Sequence, residues 1–472
     1  MRQTFSISLS TMRTRFPETN TGVLVWLILV ILVCYANALT SGFQFDDFNV
    51  IVNNPRVHSW SSWMEGLTLG IRPLLKFSYT LNWTMGMGVI GFHVTNLLIH
   101  LVNAYLVYRL AKEFAGQQWQ ADALRDIPLL VALLFAVHPI HTEAVTYICG
   151  RSTSLMTLFY LAGLLAYISG RTQQSGIKMY GLTPLFFVIA LSVKETAVTF
   201  PLALLLWEYA CGGKWQRALT PQWPNWLVLI LSALVFLFSD GYLSQMERSA
   251  QFNSLQGNAA TELSGFAYLM RQLASPLWLN IDPGLPLLHD LSASWLQLVF
   301  FVALLALMFA CWRRRPWIGF ALAWAMLQLI PLHLFLPRID IVNDRQMYLA
   351  DWPLLLALCI EVRLWTSGTR TRVFAALLLS GLAFLTVLRN QDYASEISLW
   401  EDTVMKSPDK ARVHNNLGYA YMLAHRHDEA RREFTSALQL DPRLYKARYN
   451  LYRLDDEASS PGEKNENSTT VP

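Results

Sequence analysis

Long apolar runs separated by short polar segments repeat through the first 388 residues and then stop. Runs near 22–40, 89–111, 127–139, 153–169, 181–193, 196–210, 225–239, 292–311, 317–336, 346–362 and 372–388 reach or approach the ~20 residues a helix needs to cross a bilayer. They predict an all-α, polytopic membrane domain with about 11 transmembrane helices, several of them short. The segment 264–280 is apolar but broken by Arg271 and Pro276, and is read as a re-entrant or interfacial helix. The first run follows a basic leader and precedes Ala36-Asn37-Ala38, which has the look of a cleavage site, but its spanning length favours a retained helix.

Beyond residue 388 the chain takes on a water-soluble character. Leu417, Gly418, Tyr421, Ala430, Phe434, Ala437 and Pro442 fall at the spacing of the 34-residue tetratricopeptide helix pair, in which small residues let two antiparallel helices approach. Half-repeats flank it, with Trp400 and Pro408 before and Leu451 after. One unit cannot bury its own faces, so it must dock on the membrane body, a partner or another copy. The predicted organisation is a cytoplasmic N-terminus over 1–21, a transmembrane domain over 22–388 whose first outer loop is 41–88, a repeat domain over 389–458, and a disordered tail over 459–472.

Composition agrees with this division. Hydrophobic residues make up 53% of the 472 and charged residues 15%, which excludes an ordinary soluble enzyme. Of the 70 charged residues, 26 lie in the last 84. With the N-terminus placed in the cytoplasm, 16 Lys and Arg fall in inner segments and 9 in outer loops, so the positive-inside rule supports that orientation and carries the repeat to the outer side. The five cysteines are far apart, without metal-ligand spacing, and read as small core residues. No basic stretch with interleaved aromatics suggests a nucleic-acid groove, so no nucleic-acid partner is expected.

The scarce polar residues gather at the outer ends of the spans. Phe45-Asp46-Asp47-Phe48 sets two carboxylates side by side; they repel, so burial would raise the pKa of at least one and poise it as a base, whereas the plain alternative is a solvated turn. Arg56, Arg72, Lys76, Arg151, Lys194, Arg248, Arg271, Arg338 and Arg345 supply positive charge on the same side. His138-Pro139-Ile140-His141-Thr142-Glu143 precedes Arg151. Lys194-Glu195 interrupts two apolar runs, as a structural ion pair or a functional one. Asp344-Arg345 with Tyr348 repeats the theme. Asn82-Trp83-Thr84 and Asn467-Ser468-Thr469 match the N-glycosylation pattern and face outward in this topology. Gly86-Met87-Gly88-Val89-Ile90-Gly91 matches the dinucleotide-binding spacing but follows no strand and opens a membrane helix. His138-x-x-His141 lacks the pattern of a helical zinc site, and no metal is assigned to it.

Taken together these residues resemble the transmembrane and tetratricopeptide-repeat O-mannosyltransferases, within the GT-C class that includes the protein O-mannosyltransferases. The matching stretches are Phe45-Asp46-Asp47 with Asn53-Asn54-Pro55, Arg72-Pro73-Leu74, the helix with His93, Asn96 and His100, His138 to Glu143 with Arg151, Lys194-Glu195-Thr196 with Pro201, Asp344-Arg345 with Tyr348-Leu349, and Trp400 before the repeat. They run in family order across nearly the whole chain. Asp344-Arg345-Gln346-Met347-Tyr348 departs from a more aromatic Glu-Arg-Tyr pattern, and the repeat array is short.

The resemblance implies a GT-C fold and a glycosyltransferase that moves a sugar, mannose or another hexose, from a polyprenyl-phosphate donor to a hydroxyl, in protein a Ser or Thr, at the outer membrane face with inversion. It maps the general base onto Asp46, with Asp47 as orienter or alternate base. Arg72, Arg151, Lys194 and Arg345 are the expected donor-phosphate ligands. His138, His141, Glu143, Glu195 and Tyr348 are expected to line the substrate pocket. No cofactor or metal is expected, since the lipid-linked sugar is itself the substrate and a monophosphate leaving group makes a divalent ion optional. Expected partners are the lipid-linked sugar, membrane lipids and a protein acceptor engaged by the repeat. The short array implies a bacterial member in the inner membrane with a periplasmic repeat, the alternative being the endoplasmic reticulum with a lumenal one. A rival reading from another class is a catalytically inactive scaffold that presents the repeat to a partner. A transporter is disfavoured because the charges cluster at one face.

Overall fold

The computed structural model describes residues 19–67, 71–118, 124–213, 218–237, 254–330, 341–366 and 369–459. All regular structure among them is helical. The basic leader, Lys214, Arg217, Arg248, Arg338, the Asn467 motif and the tail after Ser459 lie outside the described residues, as does the end of the 317–336 run. In chain order the helices used below are α1 (Asn20–Tyr35), α2 (Pro73–Thr84), α3 (Gly88–Gln118), α4 (Ile127–Val137), α5 (Arg151–Gln173), α6 (Thr183–Val193), α7 (Phe200–Ala210), α8 (Trp223–Leu237), α9 (Leu255–Ala274), α10 (Trp295–Cys311), α11 (Pro316–Leu329), α12 (Trp352–Trp365), α13 (Thr369–Asp392), α14 (Glu396–Lys406), α15 (Ala411–Leu423), α16 (His427–Leu440) and α17 (Tyr445–Ser459).

The protein is an integral membrane protein, and the described residues do not match the predicted count of about 11 spans one for one with long helices. Among the described residues five helical segments are long and apolar enough to cross a bilayer: Asn20–Ala38, Gly88–Gln118, Ile148–Gln173, Leu291–Cys311 and Thr369–Asp392. A sixth forms if α4 and Pro139–Val145, bent by 52°, count as one. Several of the shorter apolar helices open on proline: Pro128, Pro184, Pro201, Pro316 and Pro353 each stand in the first turn of α4, α6, α7, α11 and α12. There the missing N–H costs nothing and the fixed φ suits the first turn. The 264–280 segment falls mostly in α9, which is not among the spanning helices and gives way at Ser275 to an extended strap.

Polar residues on one stripe organise the bundle. His93, Asn96, His100 and Asn103 follow one another at three- and four-residue intervals on α3, so they share a face, and all four are buried. His93 Nε2 donates to Ser41 O (2.9 Å), and Asn96 Nδ2 to Val145 O (3.0 Å). His100 Nε2 donates to Ala136 O (3.1 Å), which leaves Nδ1 to accept from the Tyr348 hydroxyl (2.7 Å). Asn103 Nδ2 reaches Ser154 O (2.8 Å). In an apolar surround each such bond satisfies a group that is costly to leave unpaired. The glycines 86 and 88, at φ 67° and 57°, lie in the left-handed region and turn the chain into α3, which accounts for their spacing without a nucleotide.

The repeat folds as the spacing predicts. α15 and α16 pack as an antiparallel pair, with Leu417, Tyr421, Ala430, Phe434 and Ala437 buried. A Cβ on Gly418 would lie 2.8 Å from ring atoms of Phe434, so glycine is what permits the close approach. The pair docks on the membrane body through charge. Asp282 receives Lys410 Nζ (2.5 Å) and both arms of Arg412 (2.5 and 2.9 Å). Arg389, buried at the end of α13, holds Asp402 of α14 at 2.6 Å and Asp392 at 2.9 Å.

Candidate active site

The acidic loop is fixed from three sides. Asp47 is buried; its Oδ2 accepts the N–H of Gln44 (3.0 Å) and its Oδ1 that of Cys149 (2.8 Å). Burial nevertheless pushes the Asp47 carboxyl up to about 7; the two N–H donors oppose this and the adjacent Asp46 reinforces it. Asp46 is only half-buried, and its N–H donates to the Tyr147 hydroxyl (3.1 Å). The pair is therefore split: one carboxyl is locked inside with a pKa near neutrality, and the other is left accessible beside it. That is the division a base and its orienting neighbour require.

A small cleft opens next to this turn, walled by Phe45, Glu143, Tyr147, Ile281, Asp282, Asn343, Arg345 and Arg412. Its free volume is about 10 Å³, room for about one water. Two arginine–carboxylate pairs bound it. Arg345 Nε stands 3.5 Å from Glu143 Oε1, while the Arg345 backbone N–H donates to Glu143 Oε2 (3.1 Å), and the guanidinium lies 5.8 Å from the Tyr147 ring centre. Arg412 and Asp282 form the second pair, brought by the repeat and by the strap after α9. Behind Arg345, the buried Asp344 accepts the Asn280 N–H (2.9 Å), and its carboxyl is raised to about 8 by burial, with nearby Glu143 adding to the rise.

The other residues named from the sequence are distributed more widely. Arg72, at φ 58° before the first turn of α2, puts its fork on Glu195 (Nε–Oε2 3.0 Å, Nη2–Oε1 2.6 Å). Lys194, next to Glu195 in sequence, turns instead to Thr153 Oγ1 at 2.7 Å. Arg151 is wholly buried and is spent inside the bundle: Nε donates to Asn96 Oδ1 (2.6 Å), Nη1 to Ser78 O (3.1 Å) and Nη2 to Phe92 O (2.9 Å). Its position is architectural, and no atom of it borders the cleft. His138 accepts the Ile140 N–H (3.2 Å) and donates to Leu273 O (3.2 Å). His141 donates to Phe135 O (2.8 Å) and sets Nε2 3.0 Å from Asp351. With Tyr348 they are buried in the bundle and do not line the cleft. Of the expected pocket residues, Glu143 alone lines it.

Sequence reasoning passed over Tyr147, Asp282, Asn343 and Arg412. Tyr147 carried no helical signal, since it is an extended residue just past the short helix that holds Glu143. Asp282 and Arg412 carried no signal either, because their meeting depends on where the repeat docks.

The tetratricopeptide repeat family matches residues 411–444, the α15–α16 pair. The protein O-mannosyl-transferase F38B6.6 of Caenorhabditis elegans is 26% identical over 89% of this chain and 63% of its own length. The protein O-mannosyl-transferase TMTC3 of Mus musculus is 24% identical over 93% of this chain and 53% of its own. The chain is a homologue of these transferases. A shorter match, to the mouse protein O-mannosyl-transferase TMTC1, reaches 34% identity over 35% of this chain and 20% of that protein. The chain spans between about half and 63% of the length of the two longer-matching relatives. No solved structure matches it.

Proposed function

We propose that this chain is a membrane glycosyltransferase that moves a sugar, mannose or another hexose, from a polyprenyl-phosphate donor to a protein Ser or Thr hydroxyl at the outer face, with inversion. The observation that carries the reading is the split acid pair, Asp46 half-buried beside the buried Asp47; the pair directly follows Phe45, a wall of the cleft that Arg345 and Arg412 bound. Its names in relatives, protein O-mannosyl-transferases, point the same way.

In this reading Asp46 takes the proton of the attacking hydroxyl, and Asp47 holds the turn that aims it. The departing lipid phosphate gains negative charge, and Arg345 stabilises it by giving up part of its hold on Glu143. Attack from the side opposite the phosphate inverts the anomeric carbon, and no covalent intermediate is needed. Arg72 and Lys194 are candidates for the approach of the lipid phosphate, through exchange with Glu195 and Thr153.

The test is Asp46→Asn in protein shown by its elution and melting profile to be folded, with transfer followed from a labelled lipid-linked mannose to a Ser/Thr peptide. Loss of transfer by about 10²-fold or more is expected for a missing general base; undiminished transfer sinks the assignment.

A further inference from the structure

Phe45, the residue before the acid pair, has φ 49°. Among the described residues three other non-glycine positions have positive φ, and one of them, Gln174, is an ordinary left-handed helix end. Phe45 ends no helix, and a bulky aromatic side chain is disfavoured in this region, so the conformation persists only because its surroundings enforce it.

The enforcing groups come from far along the chain. The Phe45 N–H donates to Glu396 Oε1 at 3.1 Å, across 351 residues of sequence. The Phe45 ring meets the Trp400 ring edge to face at 5.2 Å. The Gln44 side chain donates to the Tyr393 carbonyl. Glu396 also takes a side-chain hydrogen bond from Trp400, so one carboxylate ties the turn and the indole together. The clamp itself is anchored: Ser395 caps α14 by accepting the Ser398 N–H (3.1 Å), and Trp400 is buried. Burial raises the Glu396 pKa, and the two hydrogen bonds lower it.

We propose that Glu396 and Trp400 are positioning residues for the acid pair: they hold Phe45 in its strained turn, and so place Asp46 and Asp47 at the cleft. The inference rests on the reading of Asp46 as the base. It makes α14, the helix that leads into the repeat, part of the catalytic apparatus. Without the clamp the turn relaxes to negative φ and carries Asp46 away, while the donor-binding arginines stay where they are.

The experiment compares Glu396→Ala, Glu396→Gln and Trp400→Phe in the full chain. Glutamine retains an oxygen that can accept the Phe45 N–H, alanine does not, and phenylalanine keeps a ring against Phe45 without the indole donor. Expected for Glu396→Ala is a fall in kcat of about a hundredfold, donor KM within about twofold of wild type, and a displaced acid limb of the pH–rate profile. Glu396→Gln is expected to restore most of kcat, with Trp400→Phe between the two. Hydrogen–deuterium exchange gives a readout independent of turnover: amides 43–49 exchange faster in Glu396→Ala and at the wild-type rate in Glu396→Gln, with those of α15 and α16 unchanged. Wild-type kcat and exchange in Glu396→Ala overturn the proposal, as does equal damage by alanine and glutamine. If the wild-type chain transfers no sugar while the exchange pattern holds, the transferase reading fails and the clamp on the turn stands.

Discussion

The backbone N–H of Cys149 donates to Asp47 Oδ1 at 2.8 Å, which fastens the acid loop to the entrance of α5 across 102 residues of chain. Asp47 is thus both part of the candidate site and a structural bolt, and these roles respond differently to pH.

In the folded chain the Asp47 carboxyl titrates near 7, above its usual value of 3.8. Between those values the folded state holds a proton that the unfolded chain has lost, so stability falls as pH rises from about 4 to about 7 and is level beyond. Asp47→Asn removes this slope. Over that interval the melting temperature of wild type should fall relative to that of Asp47→Asn, and a rise relative to the variant would contradict the assigned burial effect.

Arg151 separates architecture from donor binding. Arg151→Lys keeps the charge but loses the fork that serves Asn96, Ser78 and Phe92. Loss of two or more buried bonds to a charged group costs about 3 kcal/mol or more. A lowered melting temperature and poor recovery of folded protein are expected; an unaltered melt with raised donor KM would instead return Arg151 to the phosphate-binding set.

Glu143 and Arg345 should be coupled. Removing Arg345 leaves the buried Glu143 carboxylate with one hydrogen bond, from the backbone N–H of residue 345, and with Arg389 and Lys194 as its remaining nearby cations. A double-mutant cycle of Arg345→Ala and Glu143→Gln, read by thermal or denaturant melts, is expected to give a coupling of about 2 kcal/mol. Additive single effects would show that the pair does not act as a unit.

Repeat docking is ionic and therefore sensitive to its one shared acid. Asp282→Asn leaves Lys410 and Arg412 facing each other with less negative charge between them. Limited proteolysis between residues 389 and 410 should accelerate in Asp282→Asn, whereas equal cleavage rates would place the docking energy in the apolar contacts of α14.

Much of this was legible in the chain. The repeat could be read because its spacing is local: Gly418, Ala430 and Phe434 meet within one helix pair. The acid pair could be found because two adjacent carboxylates in an apolar protein are rare enough to stand out. Span number is less legible, since an apolar run reports burial and not continuity: α4, α7, α11 and α12 are helices of 11 to 14 residues that open on Pro128, Pro201, Pro316 and Pro353. Arg151 shows the other limit. An arginine at the start of a helix has the same local sequence whether its fork turns to a ligand or to the carbonyls of α2 and α3, and only packing decides.

The short helices have a further consequence for the bilayer. α7, at 11 residues, rises about 16 Å, little more than half of a hydrocarbon core of about 30 Å, and turns Leu202 and Tyr209 outward. A bilayer that meets it must thin, or admit headgroups and water toward its middle. Acyl-chain length thereby becomes a variable of the protein's environment, with short-chain lipids matching this side of the bundle and thick, sterol-rich membranes opposing it.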